Sequence, residues 1–177
     1  MSAIVGIHYL NGRPVDRRDM ERMTTTLSHR GPDGAGVWCR GNSGLGHRML
    51  WTTPESLAEK LPFVCRSGDL VITADVRLDN RSELIAALGI VDCEPGEIAD
   101  SELILAAYKK WGEHCPEQLL GDFAFILWDC RRQVLFGARD HFGIKPLYYY
   151  YHASQIFACA SEIKALFCVP EVPRRLN

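Results

Sequence analysis

Met1-Ser2-Ala3-Ile4-Val5-Gly6-Ile7 opens a chain of 177 residues, and the other elements can be arranged around it. Small and β-branched apolar residues predominate over residues 3–10, which predicts a buried strand. The Asn11-Gly12 dipeptide that follows is a strong turn signal, so the strand should end near Leu10. A small hydroxyl side chain, Ser2, therefore stands directly before a core strand.

The composition is that of a globular protein with one sizeable core, since 47% of the residues are hydrophobic and 24% are charged. A formal net charge of -2 provides no basic field, so neither nucleic acid nor a membrane is an expected partner. The opening residues lack the regions of a signal peptide, and no apolar run approaches the roughly 20 residues of a membrane span. Seven widely spaced cysteines indicate reduced thiols in a cytoplasmic protein, and no metal-ligand spacing occurs.

Strands and helices are predicted in turn over the first two thirds of the chain. A helix is predicted over residues 15–27, a loop over 28–34, a hairpin of strands at 36–40 and 44–48, a polar connection with room for one helical turn over 51–62, and a strand at 70–76. A helix over 80–88 is expected to be capped by Asn80, with Glu83 in the capping-box position and Gly89 after its end. The clearest helix covers residues 100–111 and stops at Gly112.

The last third is rich in strands. Apolar or aromatic runs at 122–129, 134–139, 147–151 and 155–158 are separated by short turns and predict an antiparallel meander. A short helical piece is predicted before them, around 116–120, and a final helix over 161–167. Residues 169–177 have the composition of an exit linker. Because strands and helices do not alternate strictly, the expected class is a layered α+β domain.

Ordered motifs span nearly the whole chain and are specific as a set. They are Ile4-Val5-Gly6-Ile7, His29-Arg30-Gly31-Pro32-Asp33-Gly34, Gly121-Asp122-Phe123-Ala124-Phe125, Ala138-Arg139-Asp140-His141-Phe142-Gly143-Ile144-Lys145-Pro146-Leu147-Tyr148-Tyr149 and Ala160-Ser161-Glu162-Ile163-Lys164-Ala165-Leu166. In this order the chain resembles the N-terminal glutaminase domain of asparagine synthetase, a class II glutamine amidotransferase. The resemblance implies the four-layer αββα sandwich of N-terminal nucleophile hydrolases over residues 1–168.

The same resemblance implies that residues 169–177 begin a linker to a C-terminal synthetase domain, which is the expected partner. ATP and magnesium are expected only in that synthetase domain, and no cofactor or metal is expected in this one. In the family, glutamine is hydrolysed and the ammonia passes to the synthetase domain. The family nucleophile is a cysteine exposed by loss of the initiator methionine, and its own α-amine can act as the base. Ser2 occupies that position here.

Substrate-binding positions can be carried over residue by residue. Met49 stands where the family has an arginine for the substrate carboxylate, in the segment His47-Arg48-Met49-Leu50. Asp75, Val76 and Arg77 stand where the family has Asn-Gly-Glu, of which Asn and Gly form the oxyanion hole. Asp100 matches the acidic residue for the substrate's amino group.

Most of these positions have lost the chemistry that the family needs. A thioether at Met49 cannot replace a guanidinium, at a cost of about 1.5–3 kcal/mol. An ionised Asp75 offers no donor to an oxyanion, and removing one such donor costs roughly 2.7–4 kcal/mol. Arg48 is not expected to take over, because adjacent strand residues point to opposite faces. We therefore expect a degenerate domain that does not hydrolyse glutamine.

The correlated replacements are similar to those in asparagine-synthetase relatives that form an amide from an amine already in the substrate, notably β-lactam synthetases and lasso peptide cyclases. The run at residues 47–57 most resembles the cyclases, so a peptide or amino acid is an expected substrate of the parent enzyme. Three alternatives stay open. They are an active serine amidohydrolase that uses the freed Ser2 amine, the N-terminal domain of an asparagine synthetase supplied by glutamine or free ammonia, and a non-catalytic interaction domain.

Several motif residues also have plain structural interpretations. Ser2 can be an initiation-compatible small residue, and Asp100 can be a helix cap. The glycine- and proline-containing segments 30–34 and 142–146 are interpreted as scaffold turns, and residues 148–151 as a core-and-interface strand. Asp140 and His141 suggest a catalytic triad, but the sequence provides no nucleophile near them.

Overall fold

The computed structural model describes residues 1–57, 59–91 and 98–175. The strands in this part are β1 (Ala3–Tyr9), β2 (Gly34–Arg40), β3 (Ser43–Met49), β4 (Phe63–Val64), β5 (Leu70–Leu78), β6 (Gly121–Asp129), β7 (Val134–Arg139), β8 (Tyr148–His152) and β9 (Ile156–Ala160). The helices are α1 (Arg17–Thr26), α2 (Arg81–Leu88), α3 (Asp100–Trp111) and α4 (Ile163–Leu166), with 3₁₀ turns at Glu55–Leu57 and Gly112–Gln118. No helix among these residues is long and apolar enough to cross a membrane.

The strands form two antiparallel sheets. Sheet I has the order β2-β3-β1-β9-β8, and sheet II has the order β4-β5-β6-β7. The opening stretch of the chain is the central strand of sheet I, because β1 pairs with β3 on one side and with β9 on the other. Strand β1 therefore takes the most buried place in its sheet, as its apolar sequence predicts.

Helices cover the outer face of each sheet. Helices α1 and α4 pack on sheet I, and α2 and α3 pack on sheet II. A third apolar cluster, which includes Ile4, Leu45, Val71 and Ile126, fills the space between the sheets. Gly6 permits this close packing, since a Cβ there would lie 3.1 Å from Cys159 Sγ and 3.2 Å from a methyl group of Ile126. The four-layer αββα arrangement implied by the resemblance is confirmed.

Two sequence predictions about local structure are wrong. The four C-terminal strands do not form one meander, because β6 and β7 belong to sheet II whereas β8 and β9 belong to sheet I. The turn after β7 carries the chain from sheet II to sheet I. The Asp140 carboxylate holds this turn by accepting hydrogen bonds from the backbone N–H groups of Ile144 and Lys145. Asn80 makes no side-chain cap on α2, and instead bonds backbone groups of Gln118 and Leu120.

The other predicted elements are present, with ends that differ by a few residues. Gly89 ends α2 at a φ of 70°, and Gly112 ends α3 at a φ of 59°, both in the region that favours glycine. Val169 and Val172 are buried in the sheet I core, so packed residues continue past the expected boundary at residue 168. The expected linker at residues 169–177 stays a prediction, and its last two residues lie outside the described part.

Candidate functional site

Three of the sequence-predicted site residues meet where strands β1, β3 and β5 come together. Ser2 is buried just before β1, and its Oγ accepts a hydrogen bond from the backbone N–H of Leu50 at 3.0 Å. The same Oγ lies 3.8 Å from the sulfur of Met49, at the end of β3. Asp75 is buried on β5. Since β1 and β5 lie in different sheets, the site is at one end of the space between the sheets.

Arg30 joins these residues from the loop before β2. Its Nε donates to the backbone carbonyl of Ser2 at 3.2 Å, and its Nη2 lies 3.8 Å from an Asp75 carboxylate oxygen. Its Nη1 donates to Glu162 at 3.3 Å. The Arg30 side chain is 11% exposed, so the contacts are shielded from water. Arg30 therefore fixes the start of β1 against both the Asp75 position and the segment after β9.

Lys145 holds the Asp75 carboxylate directly. Its Nζ donates to Asp75 Oδ1 at 2.9 Å, and the two side chains are 14% and 6% exposed. Burial raises the pKa of the Asp75 carboxyl, while the Lys145 ammonium, the Arg30 guanidinium and the amino terminus oppose that rise. The position that the resemblance assigns to a neutral oxyanion-hole amide is thus a carboxyl group in an internal ion pair. An acceptor held in this way cannot donate a hydrogen bond to an oxyanion.

Sequence reasoning missed Arg30 and Lys145 as members of the site. Both lie in motifs that the sequence predicts to be scaffold turns, and in the structure Arg30 lies in a turn and Lys145 in a bend. The available signal was a basic residue in each of two glycine- and proline-containing motifs of the family set. Their partners, Asp75 and Ser2, are remote in sequence, which is why spacing alone could not pair them.

Met49 faces the site, whereas its neighbour Arg48 does not. Met49 is 6% exposed and lies in van der Waals reach of Ser2 Oγ. Arg48 points to the opposite face of sheet I, where its Nε donates to the carbonyl of Thr24 on α1 at 3.1 Å. The expectation from strand alternation is confirmed, and Arg48 provides no guanidinium for a substrate carboxylate at Met49.

The remaining predicted site residues do not contact Ser2 in the structure. Val76 packs toward the helices that cover sheet II, and Arg77 is exposed and pairs with Asp79 at 3.0 Å. Asp100 is the first residue of α3, and its carboxylate accepts from the backbone N–H of Leu78 at 2.9 Å and pairs with Arg81. The Asp100 carboxylate therefore links α3 to the end of β5 and the start of α2, and its role toward a substrate amine stays a prediction.

Other groups near the site are structural. Burial opposes the fall in the pKa of Glu162, but hydrogen bonds from His29, Lys164 and Arg30 lower it. Asp140 likewise has a lowered pKa, because backbone N–H bonds outweigh its burial. Its two carboxylate oxygens are occupied within their own turn, so the geometry offers no support for a triad with His141.

The edge strand β8 is more exposed than its aromatic sequence predicts for a core strand. Tyr149 and Tyr151 are 70% and 59% exposed.

Within the described residues no group of His, Cys, Asp and Glu side chains is arranged to hold a metal ion. The chemically capable groups at the β1 end are therefore the Ser2 hydroxyl, the adjacent main-chain amine once Met1 is removed, and the Asp75–Lys145 pair.

Comparison with known proteins identifies the family. The family model described as a glutamine amidotransferase domain matches residues 1–177. The chain is 35% identical over 164 residues to the glutamine-hydrolyzing asparagine synthetase 3 of Bacillus subtilis, which covers 92% of the chain and 26% of that relative. It is 36% identical over 149 residues to amidase chry2 of Gibberella zeae, covering 83% of the chain and 22% of that relative. The chain thus spans about a quarter of the length of these curated relatives.

Solved structures agree on the fold. The glutamine phosphoribosylpyrophosphate amidotransferase of B. subtilis, complexed with ADP and GMP, superposes with a TM-score of 0.72 at 18% identity, over 94% of this chain and 43% of that one. This likeness concerns the fold alone. The family match, the relatives and the four-layer sandwich agree with the resemblance carried by the motifs. The chain therefore belongs to the glutamine amidotransferase domain family, of the class II type with the N-terminal nucleophile hydrolase fold.

Proposed function

We propose that this is a degenerate glutaminase-like domain that does not hydrolyse glutamine and that serves a larger ATP-dependent, amide-forming enzyme related to asparagine synthetase. The observation that carries the proposal is the ion pair between Asp75 and Lys145 at 2.9 Å, at the position assigned to the oxyanion-hole amide. Removing one oxyanion donor lowers kcat by about 10²–10³-fold in hydrolases. A carboxylate, once ionised, also repels the negative charge that develops in the transition state.

Two further replacements support the same proposal. Met49 presents a thioether toward Ser2 where glutamine hydrolysis in the family requires an arginine for the substrate carboxylate. Ser2 provides a hydroxyl, which is a weaker nucleophile than a cysteine thiolate and needs a base. One such change can be incidental. Three replacements whose side chains lie at one site, on a scaffold that is retained, favour the interpretation that the domain has lost glutamine hydrolysis.

The length of the relatives supports a partner domain. The chain covers 26% of the B. subtilis asparagine synthetase 3 and 30% of Escherichia coli asparagine synthetase B. In the proposed enzyme, ATP and magnesium act in a C-terminal synthetase domain, in the cytoplasm. An enzyme of the lasso cyclase or β-lactam synthetase kind needs no free ammonia, because its peptide or amino-acid substrate contains the amine. The glutaminase-like domain would then contribute docking or positioning.

An active glutaminase is the second candidate, and it is favoured by one observation. The relatives at 35% and 31% identity are named as glutamine-hydrolyzing asparagine synthetases. An active serine amidohydrolase is the corresponding alternative for another acyl substrate, since Met1 is 50% exposed and its removal would free the Ser2 amine. A pure interaction domain differs from the main proposal only in its partner.

Restoration of the family residues tests the proposal and the positional assignment together. The triple variant Ser2→Cys, Met49→Arg, Asp75→Asn should gain measurable release of glutamate from glutamine, whereas the unsubstituted chain should show none. The matched control is Ser2→Cys, Arg48→Lys, Asp75→Asn, which changes the residue on the opposite face of β3. If the triple variant keeps its fold and releases no glutamate, the assignment of these three positions is wrong.

A further inference from the structure

The inner face of β8, the edge strand of sheet I, is only partly covered by sheet II. Phe157 on the neighbouring strand β9 packs between the sheets, and the Tyr149 ring stacks on it at 5.9 Å, so Tyr149 lies on the inner face. Because side chains alternate along a strand, Tyr151 lies on this face too, whereas Tyr150 packs on the helix side. Tyr149 and Tyr151 are nonetheless mostly exposed. Sheet I has five described strands and sheet II has four, so β8 extends past the edge of β7.

A cavity of about 360 Å³ opens between β8 and the edge of β7. Its walls are mostly apolar, and they include Ile126, Leu135, Leu147, Tyr149, Phe157 and Cys159. Gly137 also lines the cavity, and by strand alternation it lies on the same face of β7 as Leu135 and Arg139. Because Gly137 has no side chain, the middle of this row is empty.

Arg139 is the only charged residue among the described residues that line this cavity. Its guanidinium group lies beside Gly143, where a Cβ would be 3.5 Å from Arg139 Cζ. No hydrogen bond or ion pair joins this guanidinium to another described residue. A guanidinium presents donors in a fork that matches a carboxylate. The cavity therefore suits an apolar group that is accompanied by a carboxylate.

Strand β7 also offers a free edge. Among the described strands it pairs with β6 alone, so the backbone N–H and C=O groups on its other side have no strand partner. Such an edge can accept an extended peptide as a further strand, which gains affinity from backbone hydrogen bonds and specificity from alternate side chains. A fifth strand on sheet II would lie opposite β8. It would place one residue beside Gly137 and another, two positions away, beside Arg139.

We propose that this edge binds an extended peptide of another protein, which joins sheet II as a fifth strand, inserts an apolar side chain into the cavity and places a carboxylate against Arg139. The peptide therefore carries an apolar and an acidic residue two positions apart. None of the residues around Ser2 lines this cavity, and the proposed function gives this edge no role.

Other occupants match the site less well. A second copy of this chain, paired through β7, would supply no carboxylate, because residues 134–139 contain no acidic residue. A permanent domain contact is also a poorer match, since obligate interfaces are more hydrophobic than a surface with tyrosine hydroxyls and a guanidinium.

Amide NMR of the full chain tests the proposal with the capped peptide acetyl-Thr-Glu-Thr-Leu-Thr-Glu-Thr-amide. Its symmetric order places leucine beside Gly137 and one glutamate beside Arg139 in either strand direction. The β7 amide resonances should shift saturably, and hydrogen exchange should slow at the N–H groups on the free edge. Replacing leucine with serine should weaken binding at least about tenfold, as should replacing both glutamates with lysine. Isocaproate, which supplies only the apolar group and a carboxylate, should not slow exchange at β7.

Variants of the chain complete the test. Arg139→Glu should reverse the preference, so that the lysine peptide binds more tightly than the glutamate peptide. Arg40→Glu, the same charge change at the opposite edge of sheet I, should leave the preference unchanged. Gly137→Leu, or Leu147→Trp if the first does not fold, should abolish binding by filling the cavity.

Several results would overturn the proposal. They are the absence of any saturable shift with the glutamate peptide, equal binding of the glutamate and lysine peptides, and binding that persists in a folded cavity-filling variant. Equal protection of β7 by isocaproate would identify a site for small molecules instead. Protection of β7 in a concentration-dependent dimer without peptide would identify a second copy of the chain as the occupant.

Discussion

Asp75 is a buried carboxyl group whose ionised form depends on two basic neighbours. Lys145 is the nearer, at 2.9 Å, and Arg30 lies at 3.8 Å. Because burial raises the Asp75 pKa, this group favours the folded state more at low pH, and the benefit is lost as pH rises through its folded pKa. Lys145 offsets that loss near neutral pH. The Asp75–Lys145 pair is therefore sensitive to removal of either partner.

Removing the ammonium should expose this dependence. We expect Lys145→Met to lower the free energy of unfolding by about 3 kcal/mol at pH 7, since it leaves a buried charge without its main partner. The loss should be smaller at pH 4, where Asp75 takes up a proton, and smaller in an Asp75→Asn background. Urea unfolding measures each value. Lys164→Met, which removes a half-exposed partner of Glu162, is the control and should cost less than about 1 kcal/mol.

A cost below about 1 kcal/mol for Lys145→Met at pH 7, or an equal cost with and without the Asp75 carboxyl, would contradict this account of the ion pair.

His47, a buried histidine on β3, makes the stability of the fold depend on pH. Its pKa is about 3 in the folded chain, against an ordinary 6.5, so its contribution to stability is present above pH 6.5 and is lost as pH falls toward 3. Between pH 7.5 and 5, this single group should cost about 2 kcal/mol. His47→Gln keeps an amide that can hydrogen-bond the Thr73 hydroxyl but cannot be protonated, so it should remove that part of the pH dependence.

Urea unfolding at pH 7.5 and pH 5 compares the two chains. His114→Gln is the control, because the Glu117 hydrogen bond raises the pKa of His114 and this exposed group acts with the opposite sign. An identical loss of stability between pH 7.5 and pH 5 in the unsubstituted chain and in His47→Gln would show that His47 is not buried in its neutral form.

At the scale of elements, the contact between β2 and the segment just before β4 depends on the absence of a side chain at Gly36. A Cβ on Gly36 would lie 2.1 Å from the backbone carbonyl of Leu61, whereas a Cβ on Gly34 would make an ordinary contact. We expect Gly36→Ala to destabilise the fold by about 1–3 kcal/mol through overpacking. Gly34→Ala, on the same strand, should change stability by at most about 1 kcal/mol.

The same urea titration, with the m-value checked for two-state behaviour, measures both substitutions. Equal effects of Gly34→Ala and Gly36→Ala would mean that strand propensity, rather than the Leu61 contact, determines the cost.

Most of the elements could be predicted because their signals are local. Runs of apolar residues locate β1 and β5, and glycine positions locate the ends of α2 and α3. The assignment of β8 and β9 to sheet I could not be predicted, since it depends on pairing between β9 and β1, about 150 residues apart. Asn80 is similar. The sequence predicts Asn80 as the N-cap residue of α2, and it lies at that position. Its side chain, however, bonds backbone groups of Gln118 and Leu120 instead of capping the helix.

The candidate site divides in the same way. Ser2, Met49 and Asp75 were located by the family motifs, and the structure brings them together with Arg30. The Lys145 partner of Asp75 could not be deduced from spacing, because the two residues are 70 positions apart in the sequence and α2 and α3 lie between them. The contact between His47 Nδ1 and the Thr73 hydroxyl likewise joins residues of the two sheets. Such contacts are properties of the packed layers rather than of any one segment.

At the scale of the whole molecule, the scaffold is that of a class II glutamine amidotransferase domain, with β1 as the central strand of sheet I. The core residues of β1 pack on both faces of the strand: Ile4 toward sheet II, and Val5 and Ile7 toward the helices. The proposed loss of glutamine hydrolysis thus concerns three side chains at one end of the sandwich and requires no change in the fold.

Release of glutamate from glutamine by the purified chain, measured with the intact mass to show whether Met1 is removed, tests the central proposal most directly. We predict no turnover above that of Ser2→Ala, because Asp75 and Met49 replace the groups that stabilise the oxyanion and hold the substrate carboxylate. Steady turnover by the chain that lacks Met1, abolished in Ser2→Ala, would contradict the proposal and would identify an active serine glutaminase.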